Sequence, residues 1–283
     1  MNRVAQEDFE DDAEYIRFGE TLGKKSKSTT KQYKSNYRKL RNIIGKSIQD
    51  TAEDTCIDAI EAAVENPNSR AALLNTALLV RRVYGMPTDN FLKQRAVYKV
   101  SIDESLKQTN RYMELPSLDE LDEYIEKLYQ DGEWVPYIIN WLLRHHYVRN
   151  QDLLFDFVTT QKETKDTSKN YMLFERKHQR LTYIRNIYKT ANKYGPKTVV
   201  IDTERFVMAI KKAHAMGKFP LARDETTIGY YIQKHSFREL GEGVIMKIVV
   251  NYHKNDINEL KRISQSRGTD LPVLLTNYNI VYT

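Results

Sequence analysis

A single cysteine in 283 residues leaves no partner for an internal disulfide and no thiol set for zinc. Cys56 sits among Ile57, Ala59 and Ile60 in a helical pattern, which predicts a small core residue rather than a reactive thiol. Histidine is also sparse: the six are scattered, and the one adjacent pair, His145 and His146, projects to different sides of a helix. Neither a metal site nor a cofactor is expected. No run of about twenty apolar residues appears, so no membrane span is expected. The opening Met-Asn-Arg-Val-Ala-Gln-Glu-Asp-Phe-Glu-Asp-Asp is acidic where a secretion signal is basic and then apolar, which points to an intracellular protein of cytoplasm or nucleus.

Acidic residues are absent from one long stretch. Between Leu22 and Ser47 the chain reads LGKKSKSTTKQYKSNYRKLRNIIGKS, with nine Lys or Arg and no Asp or Glu. Tyr33, Tyr37, Leu40, Ile43 and Ile44 recur at helical spacing through it, so the cations are held on a structured face rather than a loose tail. A net charge of +6, clustered in this way, predicts a polyanion partner.

What remains is a two-domain helical pattern, with 41% apolar and 29% charged residues sufficient for two cores. After an acidic segment over 1–25, helices are expected over 30–44, 52–64 and 68–84, and from Thr88 onward. Asn66-Pro67 stops the second and Gly85 with Pro87 the third. This all-helical region, 26–110, ends near Gln108–Pro116. Ser117-Leu-Asp-Glu120 then reads as a capping box opening another helix, and the second domain is taken as 111–283. An apolar helix runs through Val135–Val148 toward Arg149. Three β-prone runs follow, Tyr171–Phe174, Leu181–Tyr188 and Thr198–Ile201, the last two joined by Lys-Thr-Ala-Asn-Lys-Tyr-Gly-Pro-Lys. They predict a small antiparallel sheet. Helices return over 202–216, 224–238, 242–253, 256–266 and 271–279. The fold class expected is mainly α with that small sheet.

The order of these pieces resembles the tyrosine recombinases, the phage-type integrases, over about residues 26–283. Ser28-Thr-Thr-Lys-Gln-Tyr33 echoes the opening of their core-binding domain, and Glu114-Leu-Pro-Ser-Leu-Asp-Glu-Leu resembles the start of their catalytic domain. Arg149-Asn-Gln-Asp152-Leu153 matches the motif of the family's first arginine, with Asp in the acidic place. The resemblance implies Lys189 as the hairpin lysine, with Lys193 as the nearby alternative. It implies Tyr278 as the nucleophile, nine residues after Thr269 in Gly268-Thr269. It also implies departures. Lys247-Ile-Val-Val250 carries lysine at an accepted position but valine where the second arginine belongs, and Thr269 replaces the usual histidine or tryptophan.

These departures matter chemically. A tyrosine attacking a phosphodiester builds charge on two non-bridging oxygens, which a planar guanidinium matches and a lysine meets only as a point charge. Losing one such clamp costs on the order of 100-fold in rate. The expectation is therefore a duplex-DNA-binding protein of recombinase fold, weak or inactive in strand cleavage. An active recombinase forming a 3'-phosphotyrosyl bond through Tyr278 is the first alternative, and a helical scaffold or packaging protein the second. His253, Arg262 and Arg267 stand as residues able to replace the missing clamp, and an arginine reaching both Arg149 and Tyr278 would favour the enzyme. The expected DNA contacts are Lys31, Lys34, Arg38 and Arg41, with Arg70, Arg81, Arg82, Lys93 and Arg95 beside them. Self-association on DNA is a further expectation, although Asn279–Thr283 is a short tail to donate and Tyr282 adds a spare hydroxyl.

Overall fold

The computed structural model describes residues 9, 12–23, 25–111, 114–222 and 224–279, and the chain divides into two compact units, Met1–Gln108 and Thr109–Thr283. Residues 280–283 of the tail, Tyr282 among them, lie outside the described residues.

Five helices, α1 (Ala13–Thr21), α2 (Lys27–Ile44), α3 (Glu53–Ala63), α4 (Pro67–Val83) and α5 (Asp89–Arg111), make up the first unit. Their ends follow from sequence. Ser26 caps α2 by accepting from Thr29 N, Gly45 ends it at φ 74°, and Asn66 caps α4 just before Pro67. The core gathers Phe18 of α1, Tyr37 and Leu40 of α2, Cys56 and Ile60 of α3, Leu74 and Ala77 of α4 and Phe91 of α5, all fully buried. Burial pushes the Cys56 thiol up to about 12, in keeping with an inert core side chain.

Part of the acidic leader is folded into this unit. Glu14 is 2% exposed and accepts from Tyr37 Oη at 2.8 Å, Ile48 N at 3.1 Å and Gln49 N at 2.8 Å. Arg41 completes the cluster, 2.9 Å from Asp12 and 3.4 Å from Glu14.

The second unit opens with α6 (Leu118–Gln130). Its capping box is reciprocal: Glu120 N donates to Ser117 Oγ at 3.1 Å, and Ser117 N donates to the Glu120 carboxylate at 2.8 Å. Helix α7 (Trp134–His146) is apolar nearly all round and runs through the middle of the core, where Ile138, Ile139, Leu142 and Leu143 are fully buried. Four strands follow, β1 (Phe155–Val158), β2 (Asn170–Glu175), β3 (Arg180–Arg185) and β4 (Lys197–Ile201), in the order β1-β2-β3-β4. The one-turn helix α8 (Ala191–Tyr194) lies between β3 and β4.

The sheet is mixed rather than antiparallel, because β1 pairs parallel to β2 while β2–β3 and β3–β4 are antiparallel. The sequence hid β1 because four residues are too few to display alternation. The crossover to β2 also returns through a polar loop, holding a 3-10 turn at Gln161–Thr164, where a hairpin is the usual sign of a strand pair. Helices α9 (Glu204–Ala215), α10 (Glu225–His235), α11 (Glu242–Tyr252), α12 (Ile257–Arg267) and α13 (Leu271–Tyr278) complete the unit. No helix among the described residues is long and apolar enough to cross a membrane.

Candidate active site around Tyr278

Helix α7 ends where Tyr147 takes a left-handed conformation, φ 53° and ψ 34°, which is costly for a bulky residue. Its surroundings hold it there. The Tyr147 ring is 1% exposed, its hydroxyl donates to Glu259 of α12 and accepts from Arg262 Nη2 at 2.6 Å, and Arg262 in turn pairs with Glu259. From α12, Arg267 Nη1 donates to the carbonyls of Tyr147 at 3.1 Å and Val148 at 3.2 Å. Arg149 follows at once, so its placement is fixed by α12 as well as by its own turn.

The Arg-x-x-Asp spacing closes on itself. Asp152, 2% exposed, accepts from Arg149 N at 2.9 Å, and its Oδ2 lies 3.3 Å from Nη1 of Arg185, the last residue of β3. Burial raises the Asp152 carboxyl, opposed by the Arg185 charge. Burial, and then the charge of Arg267, lowers Arg149, whereas Asp152, Tyr278 and Glu242 pull it the other way. Arg149 Nη1 is buried and has no hydrogen-bond partner among the described residues.

Tyr278, the last residue of α13, is tied at both ends. Its carbonyl accepts from Asn251 Nδ2 of α11 at 2.7 Å, and its hydroxyl accepts from Arg267 Nη2 at 3.0 Å. The Arg267 guanidinium also lies 5.2 Å from the ring centroid. The same Nη2 bonds the carboxylate of Glu242, the first residue of α11. Arg267 is 1% exposed.

A third side is closed by the β3–β4 connection. Gly268 ends α12 at φ 58°, and its carbonyl accepts from Thr190 Oγ1 at 2.7 Å. Lys197, opening β4, donates to the carbonyls of Gln265 and Ser266 and stands 4.7 Å over the Tyr188 ring. Burial first, then the charge of Arg185, brings this lysine down to about 8.

The expected site residues fall into two groups. Arg149 and Tyr278 are drawn to a common centre through Arg267. Lys189 is exposed beside Tyr188, and Lys193 pairs with Asp270 at 3.3 Å on the surface. Lys247 is half-buried on α11, and its carbonyl shares the Asn251 amide with Tyr278. Burial lowers its pKa.

Val250 is fully buried in the core of α11. Of the three residues considered as replacements, Arg267 reaches Tyr278, Arg262 is spent on Tyr147, and His253 packs against Tyr252. No motif in the sequence marks Lys197, Arg185 or Glu242. The only trace of Lys197 is its place after Gly195-Pro196 at the start of β4.

In the first unit, Lys31 is exposed, and Lys34 and Arg38 lie 5.5 Å and 5.3 Å from the Tyr15 ring centroid. These three line an open groove of about 640 Å³ between α1 and α2. Arg82, Lys93 and Arg95 are exposed. Arg41, Arg70 and Arg81 bond within the unit: Arg41 to Asp12 and Glu14, Arg70 to the carbonyls of Glu61 and Val64, Arg81 to those of Thr51 and Pro87.

His145 and His146 pack on Trp141 and are brought down to about 4 by burial, which keeps them neutral at neutral pH. Among the described residues, no group of three or more His, Cys, Asp or Glu is arranged to hold a metal ion.

No protein-family model and no curated protein matches this chain. Among solved structures it is similar to the crystal structure of XerA recombinase, at 14% identity over 95% of this chain and 94% of that one, with a TM-score of 0.38.

Proposed function

We propose that this chain cleaves and rejoins duplex DNA by transferring a phosphodiester to Tyr278. The observation that carries the reading is the shared arginine: Arg267 bonds the Tyr278 hydroxyl at 3.0 Å and also the two carbonyls leading into Arg149, whose Nη1 is buried without a partner among the described residues. A buried guanidinium N–H without an acceptor costs about 1–3 kcal/mol, and a phosphate oxygen is the acceptor that its planar fork suits.

In the reaction, the Tyr278 oxygen bonds to phosphorus as the bond from phosphorus to the 5'-oxygen breaks. The hydroxyl proton leaves to solvent, and the 5'-oxygen gains one. Arg267 donates to the phenolic oxygen and so favours the phenolate as charge develops. Arg149 meets the non-bridging oxygens. Lys197, brought down to about 8, has the acidity to protonate the leaving oxygen near neutral pH. Lys189 and Lys247 belong to the same reading as contacts to the DNA backbone. The phosphotyrosyl ester conserves the bond energy, so resealing needs no nucleotide.

The test is a nicked duplex that traps the covalent step, run on denaturing gels. The wild type is expected to give a protein–DNA band that Tyr278→Phe lacks. No band from either protein, with duplex binding intact, would transfer the conclusion to a second reading: a DNA-binding protein of this fold without cleavage. The burial of Val250 where a clamping arginine was expected is the observation on that side. Failure to bind duplex at low salt removes both.

A further inference from the structure

Glu242 is a charged group that the proposed chemistry leaves unused. Its carboxylate opens α11, is 15% exposed, and takes its bond from the same Nη2 that donates to Tyr278. A guanidinium nitrogen has two hydrogens, one for each acceptor. Nη1 meanwhile bonds the carbonyls of Tyr147 and Val148. Arg267 therefore has every Nη contact fixed, two by the turn before Arg149, one by Glu242 and one by the nucleophile.

Without the carboxylate, the only remaining partner of Nη2 among these bonds is the tyrosine, and the plane of the fork is set from one side only. The geometry points to Glu242 as a positioning residue: its carboxylate holds the Arg267 guanidinium against the Tyr278 hydroxyl. This assignment rests on the reading of Tyr278 as the nucleophile.

Replacing the carboxylate by a neutral amide keeps an acceptor for Nη2 and so keeps the fork in place, whereas removing it leaves Nη2 held by the Tyr278 hydroxyl alone.

The experiment uses the full chain labelled with tyrosine enriched in 13C at the ring carbon bearing oxygen, with Tyr278→Phe assigning the Tyr278 signal. Glu242→Ala, which removes the acceptor, is expected to displace the Tyr278 ring-carbon resonance and to slow the covalent step by about tenfold or more with duplex affinity unchanged, whereas Glu242→Gln, which keeps an acceptor, is expected to recover most of that loss. An unmoved Tyr278 resonance in Glu242→Ala overturns the assignment, and so does wild-type cleavage by a folded Glu242→Ala. If Glu242→Ala fails to fold, Glu242→Asp, whose carboxylate is set back by one methylene, is read in the same two ways. If the wild type forms no covalent complex, the functional reading fails separately, and the Tyr278 resonance still decides what Glu242 does.

Discussion

Arg267→Lys isolates what the guanidinium contributes, because it keeps the charge and removes the fork. Arginine here serves four acceptors: the carbonyls of Tyr147 and Val148, the Glu242 carboxylate and the Tyr278 hydroxyl. A lysine has three donors on one nitrogen, so at least one acceptor is dropped, and the two nitrogens that now face opposite sides become one point. With about 1 kcal/mol for a neutral bond and 1.5–3 kcal/mol for one to a charge, the loss is about 2 kcal/mol. In a unit of this size that is roughly 4–8 °C in melting temperature.

Arg267→Met goes further, stranding a mostly buried carboxylate, and should cost about 3–5 kcal/mol. For the covalent step, Arg267→Lys should lose about 10–100-fold, since the phenolate keeps a cation but not an aligned donor. Thermal melting followed by circular dichroism and a time course on the nicked duplex measure the two effects. If Arg267→Lys melts with the wild type and forms the covalent complex at the wild-type rate, the central role of this arginine is refuted.

Three further outcomes follow from the same geometry. At Gly268 an added Cβ would sit 3.0 Å from the Tyr188 ring and against Thr190 Oγ1 on a backbone at φ +58°, so Gly268→Ala should cost about 2–4 kcal/mol. Gly243→Ala, in the open first turn of α11, should instead gain up to about 1 kcal/mol, and calorimetry of the pair checks both signs. Lys197 is depressed on folding, so the unfolded chain binds the extra proton between about 8 and its ordinary value, and wild-type stability should rise with pH through that window relative to Lys197→Met, with a constant difference below about pH 8. Equal slopes in the two proteins would contradict the burial of this amine. Lys31→Ala and Lys34→Ala should each flatten the salt dependence of duplex binding by about 0.9 in logarithmic slope, whereas Arg81→Met, losing bonds to Thr51 and Pro87, should lower the melting temperature and leave that slope unchanged.

Helix boundaries were legible where a local device sets them: Ser117 with Glu120, Asn66 before Pro67 and Gly45 each act within four residues. The sheet was legible only in part, because β2, β3 and β4 are long enough to show β-branched and aromatic enrichment and β1 is not. Arg149 and Tyr278 are singled out by motif spacing. The residues between them are not, because what joins them is tertiary. Arg267 reaches back from α12 to carbonyls before Arg149, and Glu242 meets it from α11, contacts between residues far apart along the chain that no local pattern encodes. Arg41, Arg70 and Arg81 show the same. The internal partners of a basic residue are equally invisible in a basic stretch of sequence, and these three bond Asp12, Glu14 and main-chain carbonyls.

Under the proposed function, Arg267 supplies the planar cation that the resemblance placed at position 250. A phosphodiester under attack by Tyr278 requires a planar cation near the nucleophile, but it does not specify which helix supplies it. Val250 lies in the core of α11, where a guanidinium would have to be buried, whereas the C-terminal end of α12 places an arginine against both the tyrosine and the Arg149 turn. The arrangement leaves a signature: Arg149 Nη1, Arg185 Nε and Arg267 Nε are all buried N–H groups with no acceptor among the described residues. Each such group costs about 1–3 kcal/mol, a cost that a bound tetrahedral oxyanion removes where it can accept from them. Sulfate also stabilises proteins in general by exclusion from their surface, so the site shows as a difference between variants: the excess of sulfate over chloride at equal ionic strength should be larger for the wild type than for Arg149→Gln. Because a ligand at 100 times its dissociation constant contributes about 2.7 kcal/mol, a titration to that range should be visible as several degrees. If the excess is the same in the two proteins, the unpartnered guanidinium nitrogens are not an anion site, and Arg149 loses its assigned place opposite the nucleophile.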